Sequence, residues 1–484
     1  MVEHSRPPGR DRRVSGAAAP AGIVSGVTPT EPAAWLAELT AGVATWSTTD
    51  EHTAAAGADR SGTRQAGLPS VVVYAHTVAD VVHTLTVAHR HRVPVVTRGA
   101  GSGLAGGATA GSTAIVLDLA SMNRIVEISP VDGLARVEPG VITADLDRAA
   151  AGHGLFYAPD PGSVAISTIG GNIATNAGGL RGAKYGVTRD AVLALDVVLA
   201  DGTVVHTGRD TVKGVTGYDL TALFVGSEGT LGVVVGATVR LLPRPKGQAT
   251  AAAYFSSVDA AARASVLLAT LGVRPAVVEL VDGRTLAAID DLRGTDHATR
   301  GAAFLLVQTD GFGAIAEIEV VAESLRQSAL SVEVSADAAL ALALAAARRD
   351  ALPAIEARGR VLIEDIAVPR SRLAEAFEAV TEISERTGIE IYQFAHAGDG
   401  NLHPIIVIPP GFAATEIPAH VQAAADEIFA LALRLGGTLT AEHGIGRLKA
   451  AWVEREVGPE AHRLMRGIRA LFDPRGILNP GTSV

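Results

Sequence analysis

The 484-residue chain contains no cysteine. That excludes a disulfide framework, a Cys-ligated zinc, an iron–sulfur cluster and a thiol nucleophile together. Any metal must be held by His, Asp or Glu, and any covalent cofactor link must use another side chain. Lysine is nearly missing too (Lys184, Lys213, Lys246 and Lys449), so positive charge is almost all arginine. The net charge is −10, which removes the broad basic footprint of a nucleic-acid partner. No stretch approaches the ~18 consecutive apolar residues of a membrane span. Aromatics are only 4%.

What is abundant is glycine, with 53 residues, in a chain that is 48% hydrophobic. Such a profile fits an Ala/Gly/Val-rich enzyme of mixed helix and strand, with core enough for two or three folding units. Residues 1–28 lack periodicity and read as a disordered tail. Arg12-Arg13 ahead of an Ala-rich stretch hints at an export signal, but Gly16, Pro20, Gly22, Ser25 and Gly26 break the apolar run that a signal needs. A helical patch is predicted from Trp35 to Trp46. Strand-like runs then follow one another to Leu242, and Pro243-Arg244-Pro245-Lys246-Gly247 reads as a linker. Beyond it, strands alternate with long Ala/Leu/Glu helices.

Three glycine-rich segments stand out before that linker. Gly101 to Gly106 matches G-x-G-x-x-G after the strand at Val93–Thr97, but the next strand begins too soon for the crossover helix of a nicotinamide-binding βαβ unit. The loop still suits a phosphate, because successive glycines let backbone N–H groups converge on an anion. The second segment joins Pro161-Gly162-Ser163 to Ser167 through Gly179, and the third is Gly226-Ser227-Glu228-Gly229-Thr230-Leu231-Gly232. Three such segments in one domain point to a dinucleotide lying along it.

A second constellation lies near the C-terminus. Ile391 to Val407 reads as two strands joined by a Gly-Asp-Gly turn. Period two puts Tyr392, Phe394 and His396 on one face, and His403, Ile405 and Val407 on one face of the partner. The hairpin can therefore bring His396 and His403 together, and Glu442-His443 in Ala441–Gly446 offers a carboxylate beside another imidazole. A His₂Glu set with open positions suits a catalytic zinc or another divalent ion.

In order, VVTRGAGSGLAGGA, DPGS, STIGGNIATNAGG, KYG, GYDL, FVGSEGTLGVV, HAGDGNLH and EHGIG resemble the flavoprotein family of vanillyl-alcohol oxidase and p-cresol methylhydroxylase. More narrowly they resemble its branch of FAD-linked D-lactate dehydrogenases, glycolate oxidase flavin subunits and D-2-hydroxyglutarate dehydrogenases, from about Pro69 to the C-terminus. The resemblance implies an α+β chain of two domains: a p-cresol-methylhydroxylase-type FAD-binding domain (29–245) and an α/β cap domain for substrate (246–440), with residues 441–484 returning to the first. It implies FAD contacts at Arg98, Gly99, Ala100, Gly101, Ser102, Gly103, Leu104, Pro161, Gly162, Ser163, Thr168, Gly170, Gly171, Asn172, Thr175, Asn176, Gly178, Gly179, Glu228, Gly229 and Asn479. The FAD is expected to be non-covalent, since the pyrophosphate loop holds neither His nor Cys. His396, His403 and Glu442 carry over as metal ligands and His443 as the base near the flavin. Arg348 aligns best with the family's arginine for the substrate carboxylate, Arg349 second. Some members add a lysine for a second carboxylate. Val361–Arg370 has none, which favours a short monoacid, although Arg360 or Arg370 could substitute.

The expected activity is oxidation of a small D-2-hydroxy acid, of D-lactate or glycolate type, to the 2-oxo acid. A quinone, cytochrome or electron-transfer protein would take the electrons. A metal-dependent hydrolase and a non-catalytic flavin subunit are the alternatives. A cytoplasmic location is expected, with attachment to the inner membrane face as the variant, and a homodimer is one assembly the chain could form.

Overall fold

The computed structural model describes residues 32–413 and 415–484, so the tail predicted at 1–28 lies outside the described residues. The first helix is Pro32–Ala41, and it is shorter than the predicted patch. Trp35 and Leu39, one turn apart, are buried, whereas Trp46 sits in a short strand paired with Val73. The first domain holds a four-stranded sheet in the order Trp46–Ser47, Val71–Tyr74, Ile115–Asp118, Val95–Arg98. Beside it is a five-stranded antiparallel sheet in the order Ile125–Ser129, Leu134–Val137, Val233–Arg240, Val192–Val198, Val204–Gly208. Between them packs the helix Val78–His91, fixed at its start by reciprocal capping of Thr77 and Asp80. Its buried stripe of Val81, Leu85 and Ala88 recurs at helical spacing.

The strands Val95–Arg98 and Ile115–Asp118 pair in parallel, yet residues 99–114 between them contain no helix. The glycine loop itself makes the crossover, and at Gly101 it takes a positive φ of 66° that a residue with a Cβ rarely adopts. The predicted exclusion of a nicotinamide-type crossover helix agrees with this loop.

The second domain is built on one eight-stranded sheet. Its path runs Ser331–Ser335, Gln248–Phe255, Ala303–Asp310, Val277–Asp282, Ile391–His396, Asn401–Val407, Val361–Ile363, and Ile366–Ala367 pairs with Asn401–Val407 off that path. Helices Val258–Leu268, Ala314–Arg326, Leu373–Thr387 and Ala419–Arg434 cover one face through a large aliphatic core. The opposite face, carrying Val281, Phe394 and Ile405, packs on helices Gly283–Arg293 and Ala346–Glu356.

The two domains meet at Asp310, whose carboxylate accepts from Tyr185 Oη at 2.8 Å and pairs with Lys184. The C-terminal segment also lies against the first domain. Arg447 N donates to Ala105 O, and Asn479 N donates to Val95 O, at 2.9 and 2.8 Å.

Candidate active site

The hairpin places its imidazoles as period two requires. Phe394 pairs with His403 across the strands, so both point to the face that also carries His396. The His396 and His403 rings lie 5.0 Å apart, edge to face, and the His403 and His443 rings are stacked at 5.3 Å. One ligand atom each from His396, His403 and Glu442 falls within 4.8 Å of the others, close enough for one ion. A second group, Asp365 with His403 and His443, meets the same distance criterion. Its carboxylate is already occupied. Asp365 Oδ2 accepts from Thr440 Oγ1 (2.6 Å) and from the N–H groups of Ala441 (2.9 Å), Glu442 (2.9 Å) and His443 (3.0 Å). Oδ1 accepts from Asn401 Nδ2 at 2.7 Å. Five donors aimed at one carboxylate leave it a clamp for the Glu442-His443 segment, and the first group fits a cation better.

The electrostatics follow from burial and neighbours. Burial opposes a charged His396, but Glu279 and Glu442 outweigh it and raise its pKa to about 9 in the metal-free protein. Burial and the charge of His396 hold His403 well below the usual histidine range. Burial lowers His443 as well, assisted by Lys449, so at neutral pH this ring is a free base. His443 Nδ1 is buried without a partner among the described residues. Burial pushes Glu442 up to about 7. Asp365 goes the other way: against the cost of burial, His443, Lys449 and His403 hold it well below the carboxylate range.

A cavity of about 400 Å³ runs from these residues along the glycine-rich segments. Of the residues expected at FAD, Gly99, Ala100, Gly101, Ser102, Gly103 and Leu104 line it. So do Pro161, Gly162, Ser163, Thr168, Gly170, Gly171, Asn172, Thr175, Gly178, Gly179, Glu228, Gly229 and Asn479. Arg348, His396, His403, Glu442 and His443 line the same cavity.

Two expected cofactor residues are not in its wall. Arg98 packs its guanidinium against Gly101 of the loop, donates to the carbonyls of Ala56 and Ala58, and lies 3.8 Å from Asp118. Asn176 ends the helix Ile169–Thr175 in a left-handed conformation (φ 54°) and accepts from Arg189 N at 2.9 Å. In their place the wall holds Arg60, whose N–H donates to Gly103 O at 3.0 Å, and Thr97. Thr97 Oγ1 and Asn479 Oδ1 are buried with no partner among the described residues, as polar atoms awaiting a cofactor would be. The wall therefore fits a phosphate-bearing dinucleotide.

The fit is tight where the two halves of the site touch. A Cβ on Gly178 would come within 2.9 Å of Glu442 Cγ and Oε1. Glu228, with φ 52°, takes the Ile445 and Gly446 N–H groups on its two oxygens at 2.6 and 2.7 Å. It thereby ties the C-terminal segment to the third glycine-rich loop.

Sequence reasoning missed two buried carboxylates. Glu279 is wholly buried; its Oε1 accepts from His396 Nδ1 at 2.7 Å and its Oε2 from Arg348 Nε at 2.5 Å. The signal was a single Glu inside the apolar run Val277–Val281. Asp365 was visible within Val361–Arg370, a stretch read only for its missing lysine.

Comparison with known proteins bears on the family and the fold. Residues 69–208 match the FAD binding domain model, and residues 244–482 match that of FAD linked oxidases, C-terminal domain. The chain is 43% identical over 420 residues to glycolate oxidase subunit GlcD of Bacillus subtilis, covering 86% of this chain and 88% of that one. The chain belongs to the FAD-linked oxidase family. It is also 36% identical over 424 residues to a D-lactate dehydrogenase of Archaeoglobus fulgidus, covering 86% of this chain and 91% of that one. Among solved structures, p-cresol methylhydroxylase with bound substrate superposes with a TM-score of 0.76 at 18% identity, covering 92% of this chain and 95% of that one. The family resemblance and the α+β, p-cresol-methylhydroxylase-type fold expected from the motifs are thus borne out, and FAD is the family's cofactor. Among the described residues no helix is long and apolar enough to cross a membrane.

Proposed function

We propose that the protein oxidises a small D-2-hydroxy acid, of D-lactate or glycolate type, to the 2-oxo acid. The observation that carries the reading is one continuous cavity lined both by the FAD segments and by His396, His403, Glu442, His443 and Arg348. The activities named for the relatives, a glycolate oxidase subunit and a D-lactate dehydrogenase, support it. A hydrolase would have no use for the flavin segments, and a non-catalytic flavin subunit no use for the histidines.

When bound, FAD supplies a two-electron acceptor and a divalent ion, zinc being the best match to the donor set, supplies Lewis acidity. His396, His403 and Glu442 would hold that ion. The chain's own residues do the rest. The Arg348 guanidinium, stacked 4.2 Å over the Phe394 ring and tethered through Nε, keeps its outer N–H groups for a carboxylate. His443, held neutral by burial, takes the hydroxyl proton on its ring. Leu352, Ile363 and Phe394 line the cavity together with Arg348 and offer no partner to a second carboxylate, so a short monoacid fits best. Residues 441–484 complete the cofactor domain in this reading. The electrons would pass to a quinone, a cytochrome or an electron-transfer protein, with the enzyme in the cytoplasm or at the inner membrane face.

The test is anaerobic flavin bleaching against a panel of D- and L-2-hydroxy acids. D-lactate, glycolate or a close D-acid should bleach the flavin and L-lactate should not. Flavin left oxidised by every acid, or equal rates for both enantiomers, would overturn the reading.

A further inference from the structure

Glu279 sits in the middle of a central strand with the aliphatic neighbours Val278 and Leu280, where an apolar residue would be the inexpensive choice. A carboxylate persists at such a depth only if its charge is matched. The match comes from two residues with different jobs. Strand pairing puts Glu279 opposite His396, and the helix Ala346–Glu356 brings Arg348 to its other oxygen. One carboxylate therefore touches both a proposed metal ligand and the proposed substrate clamp, at 2.7 and 2.5 Å.

We infer that Glu279 is a positioning residue that couples cation binding to binding of the substrate carboxylate. The inference rests on the function proposed above. By accepting the Nδ1 proton of His396 it leaves Nε2, 3.5 Å from Glu442 Oε1, as the ring atom that can exchange its proton for a cation. By accepting the Nε proton of Arg348 it leaves the other guanidinium edge to the cavity. The two bonds share one negative charge. A cation on His396 makes the Nδ1 proton more acidic and draws Glu279 toward it, which releases positive charge at Arg348 for the incoming carboxylate. By reciprocity, a bound carboxylate tightens the cation.

The experiment uses the FAD-loaded protein stripped of metal. Zn²⁺ alone is titrated against a chromophoric chelator, and pyruvate binding is followed by the flavin spectrum with and without Zn²⁺. In wild type, Zn²⁺ should tighten pyruvate at least about fivefold. Glu279→Gln has one acceptor oxygen for two donors, so it should lose about 10- to 100-fold in Zn²⁺ affinity. Its pyruvate affinity should respond to Zn²⁺ less than that of wild type does. Arg348→Met leaves the whole charge to His396 and should bind Zn²⁺ more tightly than wild type. Zn²⁺ affinity of Glu279→Gln within twofold of wild type, or unchanged Zn²⁺ affinity in Arg348→Met, overturns the coupling. If Glu279→Gln fails to retain FAD, the Zn²⁺ affinity of Arg348→Met decides alone. Failure of the proposed function looks different: wild-type flavin that no hydroxy acid reduces.

Discussion

Adding one carbon at Gly178 tests the contact between the flavin segment and the metal group. The backbone there is not in the left-handed region, so alanine is conformationally permitted. Its Cβ would stand 2.9 Å from Glu442 Cγ and Oε1 and 3.2 Å from Cδ. Carbon atoms rest about 3.5–4.0 Å apart, so the Glu442 side chain must retreat by roughly 0.6–1 Å. The base of that side chain cannot easily give way, because three backbone N–H groups at 441–443 are clamped on Asp365. A misplacement of about 1 Å at a reacting centre can cost on the order of 100-fold.

Gly178→Ala should therefore keep its FAD, bind Zn²⁺ at least about tenfold more weakly by chelator competition, and reduce its flavin about 100-fold more slowly with D-lactate in stopped flow. Stability should fall by roughly 0–2.6 kcal/mol. Overpacking costs about 1–3 kcal/mol, and removing a glycine from the unfolded chain offsets about 0.4–1 kcal/mol of that. A variant with wild-type Zn²⁺ affinity and a reduction rate within twofold of wild type would falsify the argument that this close approach aligns Glu442.

Three further outcomes are expected. His396→Ala and His403→Ala should lose the divalent ion and activity together, whereas His443→Ala should keep ion and flavin while reduction slows about 10²–10⁴-fold; elemental analysis beside single-turnover kinetics separates the two patterns. Acid precipitation of the holoprotein should release all flavin to the supernatant, and yellow colour left in the pellet would contradict a non-covalent FAD. Asp282, buried at the start of helix Gly283–Arg293, caps Thr285 N at 2.8 Å and is pushed up to about 6 by burial. Its folded pKa exceeds the ordinary aspartate value of 3.8, so the fold holds this proton more tightly than the unfolded chain does. The contribution of Asp282 to stability thus falls as pH rises from about 4 to about 6, by up to roughly 3 kcal/mol. Asp282→Asn keeps a capping oxygen without the charge. Its stability relative to wild type, from denaturant unfolding, should rise over that window, and a pH-independent difference would refute the assignment.

The parts of this protein legible in its sequence are those set by local geometry. Glycine-rich segments announce a backbone that must approach a ligand, and Gly101 does take the left-handed conformation that the loop needs. Strand alternation around a Gly-Asp-Gly turn was enough to put His396 and His403 on one face, because a hairpin's register is fixed by its own few residues. The linker signal at Pro243–Gly247 likewise falls just before the first strand of the second sheet, Gln248–Phe255.

Tertiary structure alone decided which charges serve the site. Arg98 lies against the glycine loop, but its guanidinium is taken up by the Ala56 and Ala58 carbonyls and faces Asp118, while Arg60, from a distant segment, lines the cavity. Glu279 meets a histidine 117 positions away and an arginine 69 positions away, and Asp365 clamps amides 76 to 78 residues further on. No periodicity within a strand encodes such partners. A buried carboxylate is tolerable only once distant segments bring it matching donors, and that matching exists only in the assembled sheet.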